Sequence, residues 1–350
     1  MSVTGLAEPP LAAPLIDRQH RVVEYLRVSV TDRCNYRCTY CIPEEGVGHL
    51  GRDSVLSFEE LTRLVGCFAR VGVRRLRLTG GEPTIRRDLP ALAAMLRAIP
   101  GIEDLAVSTN GHRLGELAAP LRRAGVDRLN VSIDSLDPAR FARITRGGDL
   151  SRVLAGIEAA RTVGFADIKL NAVAIHGFND DEIPAICAYA WTRGLVPRFI
   201  EQIPMADGAL FVPGAFMGAL AIRESVAASQ PGARIVAEAA SRASGAGPAR
   251  YWRVEGPGGT GEVIGRFGLI SPLTEHFCDT CNRVRLSAGG ALHTCLGHDD
   301  ATDLRGVLRG SGEDAVVEAI RGAVHAKRDG HRFGLLGIGG PRKAMVQIGG

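Results

Sequence analysis

The stretch that decides the fold is residues 25–41, which read YLRVSVTDRCNYRCTYC. Its first six residues, 25–30, alternate polar and apolar side chains, which predicts a β-strand. Directly after this strand, Cys34, Cys38 and Cys41 (the first triad) have the spacing C-x3-C-x2-C. Three soft thiolates on one short loop can hold three irons of a [4Fe–4S] cluster. The fourth iron would then stay open for a small molecule.

Short β-branched runs alternate with amphipathic helical patterns over the first two-thirds of the chain. The predicted strands are 25–30, 75–79, 105–109, 129–133, 168–175 and 197–203. The predicted helices lie near 57–71, 88–98, 113–124, 151–163 and 180–193. This alternation predicts an α/β fold of βαβ units with a parallel sheet. Six units are fewer than the eight of a closed barrel, so we expect an incomplete (β/α) barrel of the triosephosphate-isomerase type, with an open sheet as the alternative.

The pattern changes near residue 213, where a helix leads into a stretch rich in Ser, Gly, Ala and Pro at 240–249. Strand-like runs follow at 251–254 and 262–269, and helical patterns at 302–309 and 313–327. The sequence therefore predicts an N-terminal extension (1–20), a partial barrel (21–212) and a C-terminal subdomain (213–350).

Composition argues against several classes of protein. The chain has 350 residues, a net charge of +4 and no run of the roughly 20 apolar residues that a membrane helix needs. The mild charge does not favour nucleic acid or a membrane surface as a partner. The start has no secretory pattern, so we expect a cytoplasmic protein. In that reducing compartment the eight cysteines are predicted to be thiols or metal ligands rather than disulfides.

The predicted strands carry an unusual polar face. In a parallel sheet covered by helices, strands should be apolar on both faces. Here alternate positions place cationic side chains on one face of several strands, namely Arg27, Arg75, Arg77, Lys169 and Arg198. Any one of them alone would be read as a surface ion pair. Together they predict a hydrophilic interior that binds an anion, because arginine forks bind phosphate oxygens bidentately.

A second group of cysteines lies in the C-terminal part. Cys278, Cys281 and Cys295 (the second triad) have the spacing C-x2-C-x13-C. Because His276, His293 and His298 are close in sequence, a zinc site and an iron–sulfur cluster are about equally compatible with the spacing alone. The remaining cysteines, Cys67 and Cys187, lie in helical patterns among apolar residues and are predicted to be core thiols.

The first triad has the signature spacing of the radical S-adenosylmethionine (SAM) superfamily, and the segment Gly80-Gly81-Glu82-Pro83 resembles the motif that binds the amino group of SAM there. The resemblance implies a SAM-cleaving enzyme. The SAM contacts that it implies are Tyr40, Gly81, Glu82, Ser132 and Ile203. Ile203 is a departure, because the superfamily pattern commonly has methionine at this position.

The whole chain from about residue 18 resembles the GTP 3′,8-cyclase family, also called molybdenum cofactor biosynthesis protein A. The resemblance rests on residues 26–34 (LRVSVTDRC), residues 277–286 (FCDTCNRVRL) and the terminal Gly349-Gly350. It implies a second [4Fe–4S] cluster on the second triad. The GTP contacts that it implies are Arg27, Arg77, Ser108, Lys169, Arg198, Arg283 and Arg285. Ser108 stands where threonine is usual, but a hydroxyl group is retained.

The resemblance also implies the reaction. SAM is cleaved to methionine and 5′-deoxyadenosine, and GTP becomes (8S)-3′,8-cyclo-7,8-dihydroguanosine 5′-triphosphate. The tail, with Gly349 and Gly350, enters the active site and supports radical formation. The implied partners are GTP, an electron donor and a downstream cyclic pyranopterin monophosphate synthase, and a homodimer is left open. The alternatives are another two-cluster radical SAM enzyme and a zinc-stabilised nucleotide-binding protein.

Overall fold

Six parallel strands follow one another in chain order across the centre of one sheet. The computed structural model describes residues 14–239, 247–257 and 261–349. The central strands are β1 (Tyr25–Ser29), β2 (Arg75–Thr79), β3 (Asp104–Thr109), β4 (Arg128–Ser132), β5 (Asp167–Ala174) and β6 (Val196–Glu201). They match the six predicted strands to within two residues at each end.

Strands from the C-terminal part extend this sheet on both sides. They are β7 (Arg234–Ala237), β8 (Arg250–Glu255), β9 (Val263–Ile270), β10 (Arg283–Leu286), β11 (Ala291–His293) and β12 (Thr302–Asp303). Strand β10 pairs in parallel with β1, and β9 pairs in parallel with β6. The order β12-β11-β10-β1-β2-β3-β4-β5-β6-β9-β8-β7 has two free ends. The sheet is therefore open, and the prediction of an α/β fold with an incomplete barrel is confirmed.

Helices pack on the apolar face of the sheet. They are α1 (Phe58–Arg70), α2 (Leu89–Arg97), α3 (Leu114–Arg123), α4 (Pro138–Thr145), α5 (Leu150–Thr162), α6 (Ile183–Trp191), α7 (Ala219–Ala228) and α8 (Leu304–His325). Leu26, Val28, Leu76 and Leu78 of the strands are fully buried beneath them. The opposite face of the same strands is left to polar side chains, as the alternation predicts. None of the described helices has the length and hydropathy needed to cross a membrane.

Local signals account for several helix boundaries. Helix α1 begins after Ser57, which forms a capping box with Glu60: the Glu60 N–H donates to Ser57 Oγ at 3.2 Å and the Ser57 N–H donates to Glu60 Oε2 at 2.9 Å. Helix α8 contains a kink at Gly312, where φ is +80°. The two helical patterns predicted near 302–309 and 313–327 are the two arms of this kinked helix.

The C-terminal strands do not form a separate sheet. Both β9 and β10 are hydrogen-bonded to strands of the central parallel set. The division at residue 213 therefore stays a prediction about sequence organisation, because the hydrogen-bonding pattern runs continuously across it.

Candidate active site

The first triad lies on the loop that follows β1. The Tyr36 N–H donates to Cys34 Sγ at 3.4 Å, and the Cys41 N–H donates to the Cys38 carbonyl at 2.9 Å. Burial raises the pKa of the Cys34 thiol to about 11 and that of the Cys41 thiol to about 12. The neighbouring thiols add to the burial that raises the pKa of Cys38. Such thiols stay protonated until a metal cluster stabilises the thiolate form.

The spacing of the sulfur atoms bears on whether each triad suits a cluster or a single ion. In the described part of the chain, the one set of three His, Cys, Asp or Glu ligand atoms within 4.8 Å of one another is His276, Cys278 and His331. Neither triad is therefore that compact. A tetrahedral zinc ion would hold its sulfur ligands about 3.8 Å apart, given Zn–S bonds of about 2.3 Å. The more widely spaced thiols fit a polynuclear cluster better than one zinc ion.

The segment Gly80–Pro83 packs directly on the loop of the first triad. The Gly81 N–H donates to the Thr31 carbonyl at 2.7 Å, and the Glu82 N–H donates to the Arg33 carbonyl at 2.8 Å. A Cβ atom at Gly81 would lie 2.1 Å from the Arg33 carbonyl oxygen. Only glycine fits here, so the segment predicted to bind SAM lies beside the predicted cluster site.

The Glu82 side chain joins two loops of the site. It is buried, and its carboxylate accepts hydrogen bonds from the Thr84 N–H at 3.0 Å, from Thr109 Oγ1 at 2.7 Å and from the Asn110 N–H at 2.7 Å. Burial raises its pKa, and these hydrogen bonds oppose that rise. Both oxygens are engaged, so Glu82 fixes the loops after β2 and β3 relative to each other. Its contact with SAM stays a prediction.

The other predicted SAM contacts lie at the same carboxyl edge of the sheet. The Tyr40 hydroxyl donates to Asp134 Oδ2 at 2.7 Å, and Asp134 Oδ1 accepts from the Val173 N–H at 2.8 Å. Ser132 is the last residue of β4, and Ile203 lies two residues past β6. In α/β sheets, ligands bind outside the carboxyl ends of the strands. The placement of Tyr40, Ser132 and Ile203 agrees with a SAM site at this edge.

Three arginines stand side by side on the polar face. The register places Arg27 of β1 directly between Arg285 of β10 and Arg77 of β2 (the arginine row). Burial, followed by the charges of Arg285 and Arg77, holds the pKa of the Arg27 guanidinium well below its usual range. Burial and the neighbouring Arg283 lower the pKa of Arg285 to about 10. Like charges directly opposite on a sheet repel.

The arginine row has no counter-charge within the described residues. No described carboxylate lies within 4.0 Å of a guanidinium nitrogen of Arg27, Arg77 or Arg285, whereas many other arginines form ion pairs. The Nε atoms of Arg27 and Arg77 are buried and have no hydrogen-bond partner in the part of the chain that the structure describes. Buried charges are ordinarily paired. The row therefore fits a polyanionic ligand.

Three further predicted GTP contacts are Lys169, Arg198 and Ser108, and two of these side chains already have polar partners. Lys169 Nζ lies 2.5 Å from Asp167 Oδ2, and burial lowers the pKa of Lys169 to about 8. Arg198 is buried and donates to Asn171 Oδ1 at 2.9 Å and to Asn130 Oδ1. Ser108 of β3 is half-buried and stands opposite Asn130. Lys169 and Arg198 thus already have polar side-chain partners, whereas Arg77 of the arginine row stacks over the Tyr25 ring at 5.4 Å.

The second triad lies at the opposite edge of the sheet from the first. Cys281 precedes the amino end of β10, and Cys295 follows β11, which runs antiparallel to β10. Cys34 follows the carboxyl end of β1, which is parallel to β10. One five-residue strand therefore separates the triads, a length of about 16 Å at about 3.3 Å per residue. The arginine row lies on these strands, between the triads.

Cationic groups surround the second triad. Arg283 Nη2 lies 3.8 Å from Cys281 Sγ, and the Arg283 guanidinium stacks over the Phe277 ring at 5.1 Å. Burial alone would raise the pKa of Cys281, but the positive charges of Arg283 and Lys327 outweigh burial and lower this pKa to about 6. Burial raises the pKa of Cys278. The thiolate of Cys281 is thus available near neutral pH.

The C-terminal tail enters the space between the triads. Val346 and Ala344 form a small buried cluster with Ile42, and Cys41 of the first triad packs against this cluster. The carbonyl oxygen of Gly349 accepts a hydrogen bond from Arg285 Nη1 at 2.7 Å. Gly349 thus reaches the arginine row, and its role in the reaction stays a prediction. Gly350 lies outside the described residues.

Two buried cations that support the second triad were not found from the sequence. Arg21 donates to the carbonyls of Cys278 at 2.8 Å and Asp329 at 2.7 Å, and its Nε lies 2.6 Å from Asp17 Oδ2. Lys327 donates to the carbonyls of Arg283, at 3.0 Å, and Thr294. Both side chains bind backbone atoms, which leave no pattern in the sequence that could have identified them.

Two family profiles cover most of the chain. The profile described as Radical SAM superfamily matches residues 28–190, which include the first triad. The profile described as Molybdenum Cofactor Synthesis C matches residues 196–333, which include the second triad.

Curated relatives match almost the full length. The chain is 45% identical over 327 residues to the GTP 3′,8-cyclase of Rhodopseudomonas palustris (strain ATCC BAA-98 / CGA009), covering 91% of this chain and 90% of the relative. This chain belongs to the GTP 3′,8-cyclase family. It is also 44% identical to the GTP 3′,8-cyclase of Pseudomonas syringae pv. syringae (strain B728a), over 91% of this chain and 93% of the relative. It is 40% identical to the GTP 3′,8-cyclase of Hydrogenovibrio crunogenus (strain DSM 25203 / XCL-2), over 96% of this chain and 99% of the relative.

Solved structures agree on the fold. The crystal structure of Streptococcus suis SuiB bound to precursor peptide SuiA has a TM-score of 0.59 at 13% identity, covering 92% of this chain and 72% of that one. The SAM-bound form of SuiB has a TM-score of 0.56 at 12% identity, covering 89% and 68%. At this identity the likeness concerns the fold alone. Membership of the radical SAM superfamily implies SAM and one [4Fe–4S] cluster as cofactors, and the donor set of the first triad fits that cluster.

Proposed function

We propose that this chain converts GTP to (8S)-3′,8-cyclo-7,8-dihydroguanosine 5′-triphosphate in molybdenum cofactor biosynthesis, with SAM and two [4Fe–4S] clusters. One observation carries the proposal. The arginine row, which has no counter-anion among the described residues, lies between two cysteine triads at opposite ends of the same strands. A zinc-stabilised nucleotide-binding protein would not need the first triad, and the family matches do not favour it.

The first triad would hold the cluster that binds SAM. When bound there, the cluster and SAM supply a 5′-deoxyadenosyl radical that removes a hydrogen atom from the ribose of the substrate. Gly81 and Glu82 hold the adjoining loop against Arg33 and Thr109. Asp134 fixes the Tyr40 hydroxyl at 2.7 Å, so that the ring keeps one orientation beside the bound cofactor.

The arginine row would bind the triphosphate. Arg27, Arg77 and Arg285 present guanidinium groups with no described counter-anion, and a triphosphate brings up to about four negative charges. Burial, together with the charges of neighbouring arginines, lowers the pKa of Arg27 and Arg285, and a bound anion would compensate both effects. Lys169 and Arg198 lie farther along the same face and would contact GTP after exchanging their present partners.

The second triad would hold the second cluster, next to the guanine base. The cationic groups Arg283 and Lys327 favour the thiolate form of Cys281, and cluster binding requires thiolates. The ribose joins the triphosphate to the base, so a base beside the second triad leaves the ribose in the space between the two triads. In this orientation the ribose would face the SAM side.

The test is anaerobic incubation of reconstituted full-length protein with SAM, a reductant and GTP. We expect 5′-deoxyadenosine and the cyclised nucleotide to form in equal amounts, and about twice the iron content of a one-cluster protein. Cys281→Ser is expected to lose about half of the iron and all of the cyclised product. Full product formation by Cys281→Ser, or no GTP-dependent product from the wild type, would contradict the proposal.

The proposed reaction requires an electron donor and an enzyme that consumes the product. SAM cleavage needs one electron, and reduction of the cyclised radical needs a second electron and a proton, so an electron donor must supply two electrons per product. The product would pass to a cyclic pyranopterin monophosphate synthase. Both partners, a cytoplasmic location and a homodimer remain proposals, which co-purification from a native extract and size-exclusion chromatography with light scattering would test.

A further inference from the structure

Two histidines gather on one cysteine of the second triad. Ligand atoms of His276, Cys278 and His331 all lie within 4.8 Å of one another. His331 follows α8, and the chain just before it passes close over the cysteine: a Cβ atom at Gly330 would lie 3.2 Å from Cys278 Sγ. Cys281 and Cys295 are not part of this group. The group is therefore a separate convergence of imidazole and thiol ligands.

The His331 ring is held in place. Its face stacks on the Phe333 ring, with centroids 4.3 Å apart and planes 26° apart, and the His276 ring lies 5.2 Å away. His331 Nδ1 accepts a hydrogen bond from the Phe333 N–H at 3.2 Å. His331 Nε2 is buried and makes no hydrogen bond of normal geometry within the described residues. A backbone group of Pro272 lies near the ring but makes no hydrogen bond of normal geometry with it, so a bound metal ion would satisfy this fixed, buried ring nitrogen.

The other histidines near the second triad are engaged or lie apart. His298 Nε2 lies 2.8 Å from the Gly330 carbonyl oxygen, so this ring nitrogen already has a hydrogen-bond partner. His293 is buried on β11 and does not belong to the group. The ligand set is thus two imidazoles and one thiol, which suits zinc among the common divalent ions.

We propose that His276, Cys278 and His331 form a zinc site, with water as the fourth ligand. Binding displaces the Cys278 thiol proton to solvent and requires no redox step. Because zinc ligand atoms lie about 3.3–3.8 Å apart in a tetrahedral site, modest rotations from the present arrangement suffice. Cys278 belongs also to the second triad, so zinc and the second cluster exclude each other. The exclusion rests on the proposed function, whereas the zinc site itself does not.

The test of the site is anaerobic titration of reduced, cluster-free, full-length protein with Co²⁺, followed by displacement with Zn²⁺. We expect a tetrahedral cobalt spectrum with charge transfer from one thiolate. His276→Gln and His331→Gln should each weaken cobalt binding about tenfold or more, and Cys278→Ser should abolish the charge-transfer band. Cys281→Ser and Cys295→Ser are the matched controls, because they remove the other thiols of the second triad and leave this group intact.

Two results would overturn the zinc site. One is the absence of a tetrahedral cobalt spectrum. The other is loss of the spectrum in Cys281→Ser and Cys295→Ser while both histidine variants bind as the wild type does. Circular dichroism monitors folding. Because the His276 side chain is exposed, His276→Gln should keep the fold and decide the matter even if His331→Gln does not.

A second arm tests the exclusion. Zinc-loaded and metal-free proteins are reconstituted with iron and sulfide, and their iron is counted. We expect the zinc-loaded wild type to acquire about half of the iron of the metal-free protein, and zinc-treated His331→Gln to acquire nearly all of it. Equal iron in both wild-type samples would overturn the exclusion and leave the zinc site. If metal-free wild type acquires only one cluster, the proposed function fails instead.

Discussion

Gly349 has φ +77°, and a Cβ atom there would lie 3.0 Å from the Ser29 Cβ. Its carbonyl oxygen accepts a hydrogen bond from Arg285, whose charge belongs to the arginine row. A side chain at this position would therefore strain the backbone and press on β1 at the same time. The two effects can be separated, because Gly194 has φ +68° and nothing within 4 Å of its added Cβ.

Gly349→Ala is expected to abolish cyclised product while both clusters remain. The positive φ costs about 1 kcal/mol for alanine, and the contact with Ser29 displaces the tail from Arg285. Product is measured by chromatography and iron by chelation. Gly194→Ala is the control, which should lose only stability. Normal turnover by Gly349→Ala would show that the tail is dispensable.

Binding of GTP is expected to weaken as pH rises through about 8. Burial lowers the pKa of Lys169 to about 8. Above that value the free protein holds a neutral amine, and the triphosphate can be bound by the ammonium only with uptake of a proton. Below it the ammonium is already present and no such cost arises. Isothermal titration between about pH 7 and pH 9 measures the effect.

The control for this pH dependence is Lys169→Arg, which keeps its charge over the whole range. It should show a flatter affinity profile than the wild type. An identical pH profile in wild type and Lys169→Arg would remove Lys169 from the GTP site.

At the scale of elements, β10, β1 and β2 hold the arginine row on adjacent strands. Arg27→Gln should stabilise the ligand-free protein by about 1 kcal/mol, which raises Tm by about 1–2 °C, because burial disfavours the charged form of Arg27 in the fold. The same change should reduce the rise in Tm that GTP causes. Differential scanning fluorimetry without GTP measures the change in Tm of the free protein, and the same measurement with GTP gives the rise in Tm on binding. A less stable ligand-free variant would mean that Arg27 has a partner.

The segment before β1 supports the second triad through Arg21. Arg21→Lys cannot reach the carbonyls of Cys278 and Asp329 together while keeping its ion pair with Asp17. We expect the variant to lose about half of the iron after reconstitution, all of it from the second triad. Arg97→Lys is the control. Arg97 lies on α2 and also donates to a backbone carbonyl, that of Ile102 at 2.8 Å, but this carbonyl is not part of the second triad. Equal iron in Arg21→Lys and wild type would show that this contact is not needed.

Elements with a clear period were predicted, and short elements were missed. The six central strands and α1, with its Ser57–Glu60 capping box, follow from alternation and capping signals. Helix α4 has eight residues and β10 has four, too few for a periodic pattern to stand out. Pairing of β10 with β1 is a tertiary contact that no local signal specifies.

At the scale of the whole molecule, the sequence predicted the ligand types and the cationic face, but not their arrangement. The cysteine spacings identify both triads, and strand alternation identifies Arg27 and Arg77 as neighbours on one face. The position of the triads at opposite edges depends on the direction of β10, which only the fold supplies. No sequence motif marks the contacts of Arg21 and Lys327, because both side chains bind backbone carbonyls. His331 is likewise unmarked, because it approaches Cys278 only in the folded chain.

The pairing of β1 with β10 also has a consequence for synthesis. Tyr25 pairs with Arg283, so β1 leaves the ribosome long before its partner strand exists. Until then, one edge of β1 presents unpaired backbone groups, which invite aggregation. Contacts this distant in sequence also form slowly. The nascent chain should therefore depend on chaperones until β10 has been made, and the second triad can bind metal only after Cys295 has left the ribosome.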